Sequence, residues 1–241
     1  MEQIGNSCAQ YGLRLNVNKA KYMIVSKQNA PQDNGIYIDG APLERVERLT
    51  YLGSSINDKW DPSSEIKIRI ERARSTFIKM RKTLCSHNLT LSLRMKMVRC
   101  YVFPVLLYGM ESWTITDSLL KRLEAFEMWV YHRLLKISWV EKVRNTEVLA
   151  RMNKQLEVIL TIKRRKLEYF GHIMRHHEKY ELLHLIMEGK INSRRGPGTR
   201  RTSWLKNLRQ WYGKSSVELF RAAVNKTMIV NMIANLTAND R

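Results

Sequence analysis

The spacing of apolar residues changes near residue 60, and this change constrains the fold more than any other feature of the sequence. Before it lie short runs rich in β-branched and aromatic residues, KYMIVSK, IYID and RLTYLGSSI, at 21–27, 36–39 and 48–56. Asp39-Gly40 closes the second run and is a strong hairpin-turn signal. After the change, apolar residues recur every three or four positions, as in amphipathic helices. The sequence therefore predicts a mainly α fold with a small N-terminal antiparallel β piece, an α+β arrangement.

Helical segments follow one another through the rest of the chain. The first begins at Asp61, a good N-cap, with Pro62 at the first helical position. Its apolar stripe steps by three and four residues through Ile66, Ile70, Ala73, Phe77, Met80 and Leu84. Further helices are predicted at 90–109 with a kink at Pro104, at 116–137, at 145–152 with Asn145 as N-cap, at 155–177, after Thr202 or Ser203, and from Ser215 to about Leu236. These segments predict a helical bundle followed by a helical C-terminal region.

The charge of the chain favours a polyanionic partner. Lys and Arg number 42 against 22 Asp and Glu, which gives a formal net charge of +20 at pH 7. Because 44% of the residues are hydrophobic, the chain is too apolar to be a disordered basic tail. A folded chain with this excess charge repels itself unless a polyanion neutralises it. RNA or DNA is the partner that the charge favours, with an acidic membrane surface as the weaker alternative.

Cysteine content and hydropathy indicate the cellular compartment in which the protein is expected. The three cysteines, Cys8, Cys85 and Cys100, are odd in number and form no CxxC pair, which fits a reducing environment. The residues after Met1 are polar and show no signal peptide. The longest apolar run, at 101–109, is far shorter than the roughly 20 residues that a membrane span requires. We therefore expect an intracellular protein, in the nucleus or the cytoplasm, with no membrane partner.

A cationic segment at 188–211, EGKINSRRGPGTRRTSWLKNLRQW, is the strongest local signal for phosphate binding. Its Gly-Pro-Gly loop at 196–198 is expected to hold four arginines away from the core, while apolar residues at helical spacing fix the helix that follows. Thr202 and Ser203 place free N–H groups at the start of that helix, where phosphate binds readily. A solvated linker is the alternative interpretation. The four arginines are Arg194, Arg195, Arg200 and Arg201, and the fixing residues are Trp204, Leu205, Leu208 and Trp211.

Two other patterns have competing interpretations. The Arg and Lys face of the helix at 64–84 could follow a duplex backbone, or it could simply be solvated, since Glu65 and Glu71 can pair with neighbours at helical spacing. His172 and His176 lie four residues apart, as zinc ligands do, but no Glu follows His172 and no cysteine lies nearby. We therefore predict no metal site and expect His172 to make a polar contact in a helical core.

Six blocks of sequence carry a resemblance to one protein family. They are YGLRLNVNKAK (11–21), YLGSSI (51–56), CYVFPVLLYGMESWT (100–114), RLEAFEMWVYHRLLKISW (122–139), KRRKLEYFGHIMRH (163–176) and RRGPGTRRTSWLKNLRQW (194–211). In this order they resemble the C-terminal part of a non-long-terminal-repeat retrotransposon reverse transcriptase, of the endonuclease–reverse transcriptase type abundant in insect genomes. The first block resembles the end of the polymerase palm and the second the primer-grip turn. The next two resemble thumb helices, and the last two the region behind the thumb.

The resemblance implies three regions and a set of contacts to template and primer. Residues 1–58 would be a palm remnant with the primer-grip turn, 59–139 a helical thumb-like domain, and 140–241 a helical nucleic-acid-binding region. Lys19 matches the family's lysine beyond the catalytic turn, although Ala20 stands where the family usually has Thr, and a plain surface lysine is the alternative. The implied primer grip is Tyr51, Leu52, Gly53, Ser54 and Ser55. The candidate nucleic-acid contacts are Lys163, Arg164, Arg165, Lys166, Arg175, Arg194, Arg195, Arg200, Arg201, Trp204, Lys206 and Arg209.

The carboxylates that polymerase chemistry needs are missing from this sequence. The family uses a Tyr-x-Asp-Asp box and an upstream palm aspartate to hold two Mg²⁺ ions, because the attacking and leaving oxygens both carry negative charge. This sequence contains no Asp-Asp pair. We therefore expect the chain alone to hold no cofactor and to lack polymerase activity, as a piece that begins just after the catalytic turn without the N-terminal polymerase and nuclease domains.

Three interpretations follow from the sequence. The chain could be a truncated RNA-directed DNA polymerase of a retrotransposon that keeps the parts binding template and primer. It could instead be a non-catalytic, helical nucleic-acid-binding protein derived from a transposable element. The third interpretation is an inert remnant, whose unpaired palm edge makes it aggregate or require its missing half. A reading frame upstream of Met1 that encodes a Tyr-x-Asp-Asp box would favour the first.

Overall fold

The chain divides into two units, Met1–Glu65 and Ile66–Arg241, in a computed structural model that describes residues 7–25, 35–38, 40–58, 62–191 and 203–239. All the strands among these residues lie in the first unit, and nearly all the helices lie in the second. The predicted mainly α fold with a small β part is therefore confirmed. The region boundaries expected at 58 and 139 stay predictions.

The β part consists of three two-stranded ladders. As predicted, the turn at Gly40 joins an antiparallel hairpin, and this glycine has φ of +78° in the left-handed region. A parallel pairing between β1 (Lys21–Tyr22) and β4 (Glu44–Arg45) was not predicted, because the two strands are far apart in sequence. At this pairing Lys21 Nζ lies 2.7 Å from Glu44 Oε2. Asp39 of the hairpin lies outside the described residues. The strands are β1 (Lys21–Tyr22), β2 (Tyr37–Ile38), β3 (Ala41–Pro42), β4 (Glu44–Arg45), β5 (Arg48–Tyr51) and β6 (Ser54–Asn57).

Most helices follow the predicted segments, with two additional breaks, but the helix at Glu181–Glu188 was not predicted. The first predicted helix is interrupted at Met80, and the last is interrupted at Asn225, whose side chain accepts hydrogen bonds from the backbone N–H groups of Thr227 and Met228 and so caps a new helix. Asp61, the predicted first N-cap, lies outside the described residues. The helices are α1 (Pro62–Lys79), α2 (Arg81–Leu84), α3 (Leu91–Met97), α4 (Phe103–Leu106), α5 (Asp117–Leu135), α6 (Asn145–Met152), α7 (Val158–Arg175), α8 (Glu181–Glu188), α9 (Trp204–Tyr212), α10 (Ser216–Val224) and α11 (Lys226–Asn239).

A π-helical turn at Val98–Val102 lies between α3 and α4. Proline has no N–H group and its ring crowds the preceding turn, so Pro104 cannot continue a regular α-helical ladder. The wider π turn just before it accommodates this loss. The segment therefore changes helical pitch just before Pro104, while the predicted kink of the helix axis stays a prediction.

Two clusters of buried side chains hold the helical unit together. The larger includes the predicted stripe of α1, with Ile66, Ala73 and Phe77 almost fully buried, and continues through α5 to Ile162 of α7. It therefore contains residues on both sides of position 139. The smaller cluster combines the later part of α7 with α9, α10 and α11 through Leu167, Phe170, Ile173, Met174, Leu208, Leu219, Ala223 and Ile229.

A buried carboxylate fixes the start of α7. Glu127 of α5 accepts hydrogen bonds from the Tyr131 hydroxyl at 2.6 Å and from the backbone N–H groups of Glu157 at 2.6 Å and Val158 at 3.0 Å. These two N–H groups have no partner within the helix, and the positive end of the helix dipole favours a negative charge there. Burial raises the pKa of Glu127 to about 7. The contact sets the direction in which α7 leaves the larger cluster.

Candidate nucleic-acid interface

The basic run of α7 presents cations to solvent and one cation to the interior. Arg164 is exposed, and Lys163 and Arg165 are half-buried. Because successive helical residues are about 100° apart, four consecutive basic residues cannot all face the same side. Lys166 shares the buried face with Ile162 and Phe170, four residues away on either side.

Lys166 is a correction to the predicted contact set, because the structure places it in the core with no exposed surface. Its ammonium donates a hydrogen bond to the carbonyl oxygen of Trp113 and lies 3.4 Å from Asn207 Oδ1. The ring centroids of Trp204 and Trp211 lie 4.6 and 5.4 Å from Nζ. Burial lowers the pKa of Lys166 to about 7. A phosphate on the protein surface cannot reach this group.

Arg175 makes a hydrogen bond within the protein. Its Nη1 donates a 2.9 Å hydrogen bond to the carbonyl oxygen of Ala223, in the last turn of α10, where carbonyl groups lack helical partners. The guanidinium passes over Gly171, where a Cβ atom would lie only 2.7 Å from Nη1. The half-buried Arg175 therefore holds α10 against α7, and only part of its guanidinium is left for an external anion.

Helix α9 is fixed in the way that the sequence predicted. The Ser203 hydroxyl accepts from the Lys206 N–H at its start, and Leu208 is fully buried. Trp204 Nε1 donates a 2.7 Å hydrogen bond to the carbonyl oxygen of Glu111. On the opposite face, Lys206 and Arg209 are exposed to solvent.

Asn207 is the residue of α9 that sequence reasoning missed. Its side chain accepts from the Ile115 N–H at 2.9 Å and donates to the Ile115 carbonyl at 2.7 Å, in a fully buried position. An asparagine between Trp204 and Leu208, on the apolar side of an amphipathic helix, is the signal that could have indicated it. This pair of hydrogen bonds fixes the position of α9 along its axis.

An open groove lies beside the junction of α7 and α9. It is lined by Arg165, Tyr169, His172 and Arg175 together with two carboxylates, Glu111 and Glu168. The ring of Tyr169 meets that of Trp204 edge to face, with centroids 6.2 Å apart. Arg165 and Arg175 supply positive charge here, but the carboxylates make the groove mixed in sign. The groove is therefore a weaker candidate for phosphate contacts than the exposed Arg164, which does not line it.

The four arginines at 194, 195, 200 and 201 lie outside the described residues, as do the Gly-Pro-Gly sequence at 196–198 and Thr202. The described cations lie on α7 and α9, the helices on either side of this segment. Within them, the cations placed toward solvent are Lys163, Arg164, Arg165, Lys206 and Arg209.

The predicted primer-grip turn is a tight hairpin between β5 and β6. Leu52 and Gly53 have φ of +48° and +80°, as a two-residue hairpin turn requires, and Tyr51 pairs with Ser54. Tyr51 and Leu52 are exposed at the tip. The N–H of Ser55, however, donates a 2.8 Å hydrogen bond to Glu65 Oε2. One of the amides expected to hold a phosphate is therefore occupied by a carboxylate of the same unit.

Lys19 lies in a turn of the first unit and is exposed. Its backbone N–H donates to the carbonyl oxygen and, at 3.2 Å, to the side-chain oxygen of Asn16. The position agrees with either reading of this lysine, as a remnant of the palm or as a surface residue.

Histidine rings lie in pairs within and after α7, His172 with His176 and His177 with His184. His172 lies 3.4 Å from the Tyr180 hydroxyl, so it makes the expected polar contact, but on an exposed surface and not in the core. The buried histidine is His184, whose Nε2 lies 3.2 Å from the carbonyl oxygen of Ile173. Within the described residues, no group of three or more His, Cys, Asp and Glu side chains is arranged to hold a metal ion.

Comparison with known proteins gives one informative similarity. The chain is 26% identical over 183 residues to an uncharacterized transposon-derived protein of Caenorhabditis elegans, and the alignment covers 73% of this chain and 64% of that protein. The chain thus spans less than two thirds of the length of this relative. No protein-family profile and no solved structure matches. The similarity is consistent with a transposable-element origin.

In the part of the chain that the structure describes, no helix is long and apolar enough to cross a membrane. The expected nuclear or cytoplasmic location stays a prediction.

Proposed function

We propose that the helical unit binds nucleic acid through its phosphates, and that the chain corresponds to the template–primer-binding C-terminal part of a non-long-terminal-repeat retrotransposon reverse transcriptase. The observation that carries the binding proposal is the junction of α7 and α9. Each helix turns cations to solvent, while Trp204 and Leu208 pack α9 against α7. Asn207 ties α9 to the backbone of Ile115.

Fixed cations suit phosphate binding better than cations on a flexible linker, because less side-chain and backbone freedom is lost on binding. The Tyr212 hydroxyl donates a 3.1 Å hydrogen bond to the Lys163 carbonyl, which ties the end of α9 to the beginning of the basic run. Contacts of this kind position a protein on nucleic acid without reading its sequence. We therefore propose sequence-tolerant binding to duplex or structured RNA or DNA.

The similarity to a transposon-derived protein supports the transposable-element part of the proposal. It supports equally a non-catalytic nucleic-acid-binding protein derived from such an element. Both versions share the same interface, so a binding experiment tests what they have in common.

The first test removes four solvent-facing cations, Lys163, Arg164, Lys206 and Arg209, by replacing each with Gln. On B-form DNA each phosphate neutralised contributes about 0.9 to the slope of log affinity against log salt. We expect the slope to become shallower by about two to four units, since each cation meets about one phosphate. Fluorescence anisotropy with a labelled DNA duplex at several salt concentrations measures it.

A matched control removes the same charge elsewhere. Lys96, Lys226, Arg122 and Arg144 are exposed on other helices and segments, and their replacement by Gln should change the slope by less than about one unit. Equal losses in the two variants would mean that binding is spread over the whole cationic surface, and the junction would lose its assignment. Absence of duplex binding by the unmodified chain would reject the function itself.

A third variant replaces Arg194, Arg195, Arg200 and Arg201 by Ala. The change in its salt slope measures how much these four arginines contribute to binding.

A further inference from the structure

A lysine enclosed in the interior joins the two helices of the proposed interface. The ammonium of Lys166 is surrounded by the Trp113 carbonyl, the Asn207 side chain and the indoles of Trp204 and Trp211. Trp204 is the first residue of α9, Asn207 follows three residues later, and Trp211 lies in the last turn. Lys166 therefore contacts residues near the beginning, the middle and the end of α9.

The surroundings of Lys166 provide fewer hydrogen-bond acceptors than an ammonium has donors. A protonated lysine carries three N–H donors. The Trp113 carbonyl accepts from one of them and Asn207 Oδ1, which also accepts from the Ile115 N–H, accepts a long 3.4 Å hydrogen bond from another. The third N–H has no acceptor among these groups. The indole faces attract a cation but supply no lone pair. Burying a charge without a carboxylate partner is costly, and no carboxylate of the described residues lies within salt-bridge distance of this ammonium.

Other titratable groups near this site do not compensate the charge. The turn at 110–115 carries Glu111, α9 carries Lys206, Arg209 and Tyr212, and α7 itself carries Arg165 and Tyr169. On α5 the Glu127 carboxylate lies at the other end of α7, and on α10 the side chains of Glu218 and Arg221 are exposed. Burial is the cause that lowers the pKa of Lys166, with no contribution from any of these charges.

We propose that Lys166 is a positioning residue whose enclosed amine makes the docking of α9 onto α7 sensitive to pH, so that the phosphate-contacting cations of α9 are held more firmly in mildly alkaline solution. The pH-sensitive docking is inferred from the structure alone. Its effect on nucleic-acid binding rests on the function proposed above.

The direction follows from proton binding in the two states. When α9 leaves, Lys166 meets water and its pKa returns toward the ordinary 10.5; when α9 is docked, the pKa is about 7. Between these values the undocked state binds more protons, so docking strengthens as pH rises. The gain is complete above the ordinary pKa and is lost as pH falls to about 7.

Hydrogen exchange of the full chain, measured by mass spectrometry from pH 7 to pH 9, tests this proposal. After correction for the intrinsic exchange rate, protection of residues 204–212 relative to 117–135 should rise by up to about tenfold per pH unit, the limit for one proton. Lys166→Met, of similar length and without charge, should remove this pH dependence. Lys166→Arg, which stays protonated throughout, should hold protection at the low level of the wild type at pH 7.

The substitution Lys96→Met on α3 is the control, because this exposed side chain lies outside the proposed interface, and it should keep the wild-type pH profile. A wild-type profile in Lys166→Met, a flat profile in the wild type, or full protection of α9 at pH 9 in Lys166→Arg would each overturn the proposal. Duplex affinity measured over the same pH range adds an independent reading. If protection follows pH as expected but the chain does not bind DNA, the docking inference stands and the proposed function fails.

Discussion

Replacing Trp204 with alanine is expected to lower the free energy of unfolding by about 3 kcal/mol and to weaken nucleic-acid binding at the same time. The indole packs against Tyr169 and Phe170, lies over the Lys166 ammonium and donates to the Glu111 carbonyl. Its removal leaves a cavity at the start of α9 and frees the helix that holds Lys206 and Arg209. Chemical denaturation measures the first effect and duplex anisotropy the second.

One further substitution separates the loss of the indole N–H from the loss of the ring, and another serves as a surface control. Trp204→Phe keeps most of the half-buried ring but loses the N–H donor, and should cost about 1 kcal/mol. Val217→Ala, at a position that is 58% exposed on α10, should change stability by less than about 0.5 kcal/mol. If Trp204→Ala unfolded at the wild-type denaturant concentration, the indole would not be the anchor of α9.

Replacing Glu127 with leucine should lower the free energy of unfolding by about 4 kcal/mol at pH 6. The shape of the side chain is nearly preserved, but the Glu157 and Val158 N–H groups and the Tyr131 hydroxyl lose their acceptor in a buried position. Each unsatisfied group costs about 1–3 kcal/mol, and water reaching the end of α7 recovers part of this. Glu178→Gln, at an exposed carboxylate, is the control and should be nearly neutral.

Titration of the Glu127 carboxyl group should make the free energy of unfolding depend on pH. Its pKa is about 7 in the folded chain and close to 4.5 when unfolded, so the folded state binds more protons between these values. This contribution is fully present below the unfolded pKa and is lost as pH rises through 7. Wild-type stability should therefore decline over this window relative to Glu127→Leu. A constant difference between the two proteins from pH 4.5 to pH 7 would show that the carboxyl group does not titrate there.

The apolar stripes, the caps and the order of helices could be predicted from sequence because they are local properties. Ser203 and Thr90 both cap helices at the predicted starts, with Thr90 accepting from the Leu93 N–H. Asn145, expected as an N-cap, is instead the first residue of α6, and Arg144 occupies the cap position. Such shifts of one residue are common, because several polar residues in succession can end a non-helical segment.

The burial of Lys166 and of Glu127 could not be predicted from local sequence alone. Each lies on the apolar face of its helix, with Ile162 and Phe170 flanking Lys166 at four-residue spacing, so the pattern contained the signal. The basic residues around Lys166 favoured a solvent-facing interpretation. The groups that make its burial tolerable, the Trp113 carbonyl and Asn207, are 53 and 41 residues away in the chain. Only tertiary structure brings them together.

The π-helical turn at Val98–Val102 has a consequence for tracing the ancestry of this chain. A π turn contains one more residue than an α turn, which is the arrangement that a single-residue insertion into a helix would produce. Relatives without that residue would align correctly on only one side of it unless a one-residue gap is allowed there. Homology searches that penalise gaps inside helices would lose either the Arg94 side or the Pro104 side of the match. Allowing that gap should lengthen alignments to distant transposon-derived proteins.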